Sequence, residues 1–268
     1  KKKKKFKLEP SSVGATVNLL LAAVLRTEEF TIENAAMEPD VVQLCNVLVK
    51  MGADISGIGT DRITVRGVES LNGVEIANDP DRIEVGTFMI AGVLNPDSEL
   101  TLEGCNVDHL GNLPELLSKT GAKVDVNGTT IKVQAPKELE AVSIATEVYP
   151  GFPTDMQAQW ATMMTQANGV STVTDTVYYD RFSYVPELTR LGADMRLEKN
   201  TVTIFGKTDF EGASVMSTDL RASVSLVLAA MVAENETEVL RVYHLDRGYE
   251  NLEHKLNAVG AKIKRVDE

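Results

Sequence analysis

Four short stretches carry residues whose types and spacing could do chemistry. In "GFPTDMQAQWATMM", Gly151 to Met164, Asp155 stands at the start of an apolar helical pattern. Met156, Trp160, Met163 and Met164 recur at i, i+4, i+7 and i+8, and Pro153 and Thr154 read as an entry signal. A carboxylate placed there can cap backbone N–H groups or accept a proton from a bound hydroxyl, and the residues alone favour the cap. In "TDLRAS", Asp219 and Arg221 open a second helix of the same kind. An arginine at a helix start opposes the macrodipole, a cost borne more easily when an anion lies beside it. The plain alternative is an Asp–Arg surface pair worth little. In "HLDRGYE", Arg247 offers a planar fork that binds a carboxylate or phosphate through two parallel bonds, while Asp246 and Glu250 offer an ordinary salt bridge. In "PSSVGAT", Pro10 to Thr16, small residues run into a helix whose free N–H groups suit a phosphate. On its own that signal is weak, and an ordinary cap is the simpler reading.

Such groups need rigid elements to hold them, and the chain supplies these as a repeat. "MGADI", "TGAKV", "LGADM" and "VGAKI" place Gly52, Gly121, Gly192 and Gly260 at intervals of 69, 71 and 68 residues. Each phrase closes an apolar-periodic helix, where glycine suits the left-handed position past the end. A β-rich segment then follows, such as "DRITVRG" or "NTVTIFG". Going backwards, "SVGATVNLLLAAVL", "VGTFMIAGVL", "DMQAQWATMM" and "DLRASVSLVLAAMV" read as first helices, apolar nearly all round and so expected inside. "EFTIENA", "ELTLEGC", "GVSTVTDTV" and "TEVLRVYHL" read as the strands after them. A repeat at this period predicts units that share one core. The loop-like cluster Asn78 to Asp81 suggests a domain boundary near residue 80.

The 268 residues are 43% hydrophobic but only 5% aromatic, so the core must be aliphatic. Six of the 27 cationic residues are Lys1–Lys5 and Lys7; without them the balance is 21 against 39, or −18. That excess argues against a nucleic-acid partner, which needs a basic face. It leaves room for a small anion gripped locally by arginines and helix starts. The lysine run, 1–10 with its flank, is expected to be an unstructured tail or an appended segment, with a polyanion-binding arm as the lesser reading. No apolar run approaches the ~18 residues of a membrane span, and no secretory signal is visible, so a cytosolic protein without membrane association is expected. Two cysteines suggest no disulfide framework. Cys45 reads as core and Cys105 follows a strand. His109, His244 and His254 show no ligand spacing, so neither a metal nor another cofactor is expected.

"SVGAT", "IENAA", "EPD", "GTDRI", "PDRIE", "FPTDMQAQ", "DRF", "VPEL", "TDLRAS", "HLDRGYE" and "KLNAVGAKI" occur in that order. As a set they resemble the UDP-N-acetylglucosamine 1-carboxyvinyltransferase family of bacterial enolpyruvyl transferases, from about Ser11 to the C-terminus. The resemblance implies an α/β (α+β) fold, an inside-out α/β barrel of βαβαββ repeats. It implies four of the family's six units here: one of the first lobe over 11–79 and three of the second over 80–268. It also implies that the two other units, with a reactive cysteine loop and a Lys-Asn pair for phosphoenolpyruvate, lie outside this chain, and that they are a candidate partner.

By the same resemblance, the reaction moves the enolpyruvyl group of phosphoenolpyruvate to the 3-hydroxyl of UDP-N-acetylglucosamine. That is the first committed step of peptidoglycan synthesis, and so serves cell-wall biogenesis, cell shape and division. Asp155 would lie beside the sugar hydroxyl as general base, which reverses the preference for a cap. Arg221 would meet the phosphoenolpyruvate carboxylate, with Asp219 near the reacting centre, and Arg247 would clamp the same substrate. Ser12, Val13 and Gly14 would hold the diphosphate, although Pro10 and Ser11 depart from the family pattern. Val177 would touch the sugar through its backbone, supported by Arg181, with strand packing and a surface pair as the alternatives. Glu38 and Arg82 match cleft positions; a helix-start glutamate and a hinge arginine are the alternatives. Neither cysteine inherits the reactive role, and the chain alone is expected to be inactive or nearly so. The rivals are a non-catalytic nucleotide-sugar-binding module, a 3-phosphoshikimate 1-carboxyvinyltransferase-like enzyme, which "FPTDMQAQ" argues against, and a fragment prone to association.

Overall fold

The computed structural model describes residues 3–266. It divides into two compact units, one running up to Asp79 and including Val148–Gly151, the other formed by Pro80–Glu147 and the chain from Phe152 onward.

The first unit is β1 (Lys3–Lys7), α1 (Val13–Ala23), β2 (Glu29–Glu33), α2 (Pro39–Lys50), β3 (Asp54–Ser56) and β4 (Arg62–Arg66). Its sheet runs β1-β2-β4-β3, with β1 parallel to β2 and the other pairs antiparallel. The lysine run is therefore not a tail over Lys3–Lys7. Its charges are matched by carboxylates: Lys3 lies 3.1 Å from Glu29, Lys4 3.4 Å from Glu28 and Lys5 3.4 Å from Glu33. Phe6 stacks on Phe30 at 5.9 Å. Backbone pairing and these contacts outweigh the repulsion that a one-dimensional reading sees.

The second unit holds three repeats. The first is α3 (Arg82–Leu94), β5 (Glu99–Leu102), α4 (Leu113–Lys119), β6 (Lys123–Asn127) and β7 (Thr130–Gln134). The next is β8 (Ile144–Ala145), α5 (Gln157–Met164), β9 (Val170–Thr174), α6 (Tyr184–Arg190), β10 (Met195–Glu198) and β11 (Thr201–Phe205). The last is β12 (Ser214–Met216), α7 (Leu220–Val232), β13 (Glu238–Leu240) and α8 (Leu252–Ala258). The sheets run β5-β7-β6, β10-β11-β9-β8 and β12-β13. The short leading strands β8 and β12 pair parallel to β9 and β13, and apolar periodicity did not reveal them. The expected strand 237–245 stops at Leu240, because Arg241 turns to φ 58° and Val242–Arg247 forms a 3-10 turn.

The four repeat glycines all have left-handed backbones, with φ of 106°, 90°, 111° and 107°. After α2, α6 and α8 the next amide closes back on the helix: Ala53 to Leu48, Ala193 to Leu188 and Ala261 to Leu256, at 2.9, 3.0 and 3.1 Å. These are the six-to-one bonds of a Schellman ending, which needs a residue free of Cβ strain. Helices α3, α5 and α7 are largely buried and pack on one another, with the sheets outside. Every residue of α5 is buried. Helix α1, expected to be equally enclosed, is not: Leu21 is 51% exposed, and Leu25, two residues past its end, is 58% exposed. The first unit has just one such helix, whereas the second has three to cover each other.

Candidate active site

The N-terminal ends of α5 and α7, with the second turn of α3, meet in the second unit. Two glycines leave room for neighbouring side chains at this junction. A Cβ on Gly86 would lie 2.8 Å from Leu113 Cδ2 and 2.9 Å from Met156 Cε, so these side chains fill the space that glycine leaves on α3 beside the start of α5. A Cβ on Gly248 would lie 2.9 Å from two Leu220 carbons, so the turn carrying Arg247 lies against the start of α7. Asp81 caps α3, accepting from the amides of Ile83 and Glu84 at 2.8 and 3.2 Å.

Asp155 lies in a 3-10 turn, Thr154–Met156, that leads into α5, and its side chain caps nothing. The cap favoured by the residues alone is absent. Instead, Oδ1 accepts from Arg181 Nη1, and Oδ2 accepts from Arg221 Nη2 at 2.9 Å. Burial works against the charge on Asp155, but the Arg221 and Arg181 guanidinium groups outweigh it and hold the carboxyl below its ordinary range. Burial likewise disfavours the Arg221 cation, and Asp155 with Tyr249 reverses the sign, leaving it raised. Arg221 also donates to Tyr249 Oη at 3.4 Å, with its guanidinium carbon 5.8 Å from the ring centre. Tyr249 in turn shares a hydrogen bond of 2.9 Å with Thr87 of α3 and accepts from Gln159 Nε2 at 3.4 Å. Gln159 is fully buried, and its Oε1 has no partner among the described residues.

Asp219 forms no pair with the Arg221 side chain. It is the N-cap of α7: Oδ1 accepts from the amides of Arg221 and Ala222 at 2.8 and 2.9 Å, and Oδ2 from Ser183 Oγ at 2.7 Å. Burial opposes its charge, but these amide and hydroxyl donors win and lower its pKa. Capping thus offsets the macrodipole cost of an arginine at this end, and Arg221 finds its counter-charge in Asp155.

Arg247 is exposed and makes no hydrogen bond or ion pair among the described residues. Its expected salt-bridge partner, Asp246, is held by Arg265 through bonds of 3.0 and 2.7 Å. The amide of Val177 donates to Asp175 Oδ1 at 2.9 Å and is thus occupied. Arg181 joins Asp155 and packs 5.4 Å over Tyr178. Arg82, the first residue of α3, is half-buried.

In the first unit, Ser12 caps α1: its Oγ accepts from Ala15 N at 3.2 Å and its carbonyl from Thr16 Oγ1 at 2.8 Å. Val13 and Gly14 form the first turn, and a Cβ on Gly14 would meet nothing within 4 Å. Glu38 occupies the N-cap position of α2 without a cap bond, its Oε2 buried and without a partner among the described residues.

Two residues escaped the sequence reading. Tyr249 lies two positions beyond Arg247 and joins α3, α5 and α7. Asp175 is fully buried and accepts five hydrogen bonds. A signal for it existed, since an Asp at the end of a strand commonly binds the amides two and three residues on. Among the described residues no group of three or more His, Cys, Asp or Glu is placed to hold a metal ion, and no helix is long and apolar enough to cross a membrane.

A family model described as EPSP synthase (3-phosphoshikimate 1-carboxyvinyltransferase) matches residues 1–256. The chain belongs to the EPSP synthase family. Within that family it is 50% identical over 255 residues to the UDP-N-acetylglucosamine 1-carboxyvinyltransferase of Chlorobaculum parvum, and 47% identical over 260 residues to that of Koribacter versatilis. These matches cover 95% and 97% of this chain and 60% of each relative, so the chain spans about three fifths of their length. The crystal structure of the enolpyruvyl transferase NikO from Streptomyces tendae superposes with a TM-score of 0.88 at 29% identity, covering 97% of this chain and 65% of that one. EPSP synthase from Acinetobacter baumannii shares the fold, with a TM-score of 0.74 at 17% identity over 98% of this chain and 63% of its own. The expected enolpyruvyl transferase fold of repeated α/β units is thus correct, and no sheet closes on itself among the described residues. In this EPSP synthase family chain, Asp155, Arg181, Arg221 and Asp219 gather in one neighbourhood of the second unit, with Arg247 on the adjoining turn.

Proposed function

We propose that this chain serves transfer of the enolpyruvyl group of phosphoenolpyruvate to the 3-hydroxyl of UDP-N-acetylglucosamine, with release of phosphate, in the bacterial cytoplasm and for peptidoglycan synthesis. The observation that carries this reading is the Asp155 carboxylate held between Arg181 and Arg221 where three buried helices meet. It puts a proton acceptor and two cations within one hydrogen-bonded cluster, which suits a hydroxyl attacking a bound anion. The choice of acceptor rests on the 47–50% identity to relatives of that name, against 17% for EPSP synthase.

In this reading Arg221 and Arg247, which has no partner among the described residues, bind the anionic groups of phosphoenolpyruvate. Ser12, Val13 and Gly14 hold the diphosphate, Val177 and Arg181 hold the sugar, and Glu38 and Arg82 line the substrates. A proton adds to the methylene carbon, the sugar oxygen attacks the resulting cationic carbon, and its proton passes to Asp155. Loss of phosphate and of a methyl proton then restores the alkene. An anion drawing on Arg221 loosens its hold on Asp155 and makes that carboxylate a better base.

The lowered pKa of Asp155 favours one second reading, in which the chain binds the nucleotide sugar without turnover. Calorimetry on the 268-residue chain is expected to show binding of UDP-N-acetylglucosamine and none of shikimate 3-phosphate; the reverse overturns the proposal. Phosphate release with both substrates present separates transfer from binding alone.

A further inference from the structure

We propose that Asp175 is a positioning residue, whose carboxylate sets the Arg181 guanidinium against Asp155 and fixes the Val177–Tyr178 turn. Asp175 itself is anchored from both sides by Asn200. Its N–H donates to the Asn200 carbonyl at 2.8 Å, and its carbonyl accepts from Asn200 Nδ2 at 2.9 Å. Oδ1 accepts from Thr146 Oγ1 at 2.6 Å and from the amides of Val177 and Tyr178 at 2.9 and 2.8 Å. Oδ2 accepts from Thr154 Oγ1 at 2.5 Å and Gln157 Nε2 at 3.0 Å.

A turn needs only the two amides. The other three donors come from just past β8, from the 3-10 turn and from the first residue of α5. Both Oδ2 donors also hold Arg181. Arg181 Nη1 donates to Thr154 Oγ1 at 3.3 Å, and Gln157 Nε2 donates to the Arg181 carbonyl at 2.9 Å. A hydroxyl has one proton; with that proton committed to Asp175, Thr154 turns its lone pairs to the guanidinium. Gln157 cannot flip freely, because its Oε1 accepts from Tyr184 Oη at 2.5 Å. One buried anion therefore orients Arg181 at both ends, and Arg181 meets Asp155. Asp175 acts through these groups and is not itself a catalytic residue.

The test uses the whole 268-residue chain with 13Cγ-labelled aspartate and follows the titration of Asp155 by NMR. The charged groups facing Asp155 are the Arg181 and Arg221 guanidinium groups. Asp175→Asn keeps the shape but points amide hydrogens at groups that are already donors. It is expected to raise the Asp155 midpoint, as is Arg181→Ala, and the double variant is expected to match Arg181→Ala alone. Thr154→Val removes one link and leaves Asp175 its other four bonds. It is expected to raise the midpoint too, but Thr154 also meets Arg181 directly; Thr146→Val, which loosens Asp175 without touching Arg181, is expected to raise it as well and decides the matter if Asp175→Asn does not fold. An unmoved midpoint, or shifts that add in the double variant, overturns the proposal. The ligand arm rests on the function proposed above: in the same samples UDP-N-acetylglucosamine affinity should fall about tenfold, as for loss of one charged hydrogen bond. Failure of the unsubstituted chain to bind that ligand overturns the proposed function, while the Asp155 midpoint still decides the role of Asp175.

Discussion

Replacing Asp219 separates a cap from a reacting group, because the structure gives its carboxylate a complete structural task. Asp219→Ala removes two bonds to the first amides of α7 and leaves Ser183 Oγ without its acceptor. Loss of an Asp N-cap costs about 1 kcal/mol. A stranded hydroxyl adds about 1 kcal/mol, at the low end of the usual range because Ser183 is only half-buried. Together these make about 2 kcal/mol, or roughly 4–8 °C in melting temperature for a unit of this size. Asp219→Asn retains an acceptor for both amides, and the Ser183 hydroxyl can rotate to accept, so its loss should stay below about 1 kcal/mol. The charge adds a pH signature. The folded carboxyl has a lowered pKa, so its stabilisation is present above the unfolded value near ~3.9 and fades as pH falls through the folded value. The gap between the unsubstituted chain and Asp219→Asn should therefore close in acid. Thermal unfolding followed by circular dichroism at several pH values reads all three. A melting temperature for Asp219→Ala within about 1 °C of the unsubstituted chain at pH 7 would refute the capping argument.

Further outcomes follow from the same geometry. Arg221→Ala should weaken inorganic phosphate binding by at least about tenfold and raise the Asp155 pKa, measured by NMR titration; an unmoved Asp155 would contradict the pairing at 2.9 Å. Cys45 is fully buried and its thiol is pushed up to about 11, so it should resist a thiol reagent at pH 8 until the chain is unfolded, and prompt labelling of the native chain would count against that burial. A Cβ on Gly67 would lie 1.3 Å from the Arg26 carbonyl oxygen, so Gly67→Ala must move backbone and should destabilise by about 3 kcal/mol in urea unfolding, whereas a neutral effect would show that the approach can relax.

Much of the scaffold was legible because local rules act over a few residues. The four glycines announced helix endings that a left-handed backbone requires, and their spacing announced the repeat. The first helices were read from apolar content alone, and three of them are enclosed as that content demands. Linear order misleads where a neighbour far along the chain decides the outcome. Lys3–Lys7 looked like self-repelling charge until β2 supplied both a backbone partner and carboxylates. The exposed side of α1 could not be told from the enclosed α7 by composition, because enclosure depends on how many like helices share a unit.

The sequence by itself determined the kinds of group available: a carboxylate at the entry to α5, an arginine at the start of α7, and an arginine beside a glycine in the turn before α8. Tertiary structure alone decided their states. Asp155 and Arg221 are 66 residues apart and meet because α5 and α7 pack side by side, which makes an ion pair where the residues alone favour a cap. Asp219 lies two residues from Arg221, yet binds amides rather than the guanidinium, because a carboxylate at a helix start faces free N–H groups while the arginine reaches across to another helix. Asp175 gained its weight only from donors up to 29 residues away, brought together by folding. Charge, once buried, is governed by what surrounds it in space, and linear order specifies that surrounding only through the fold.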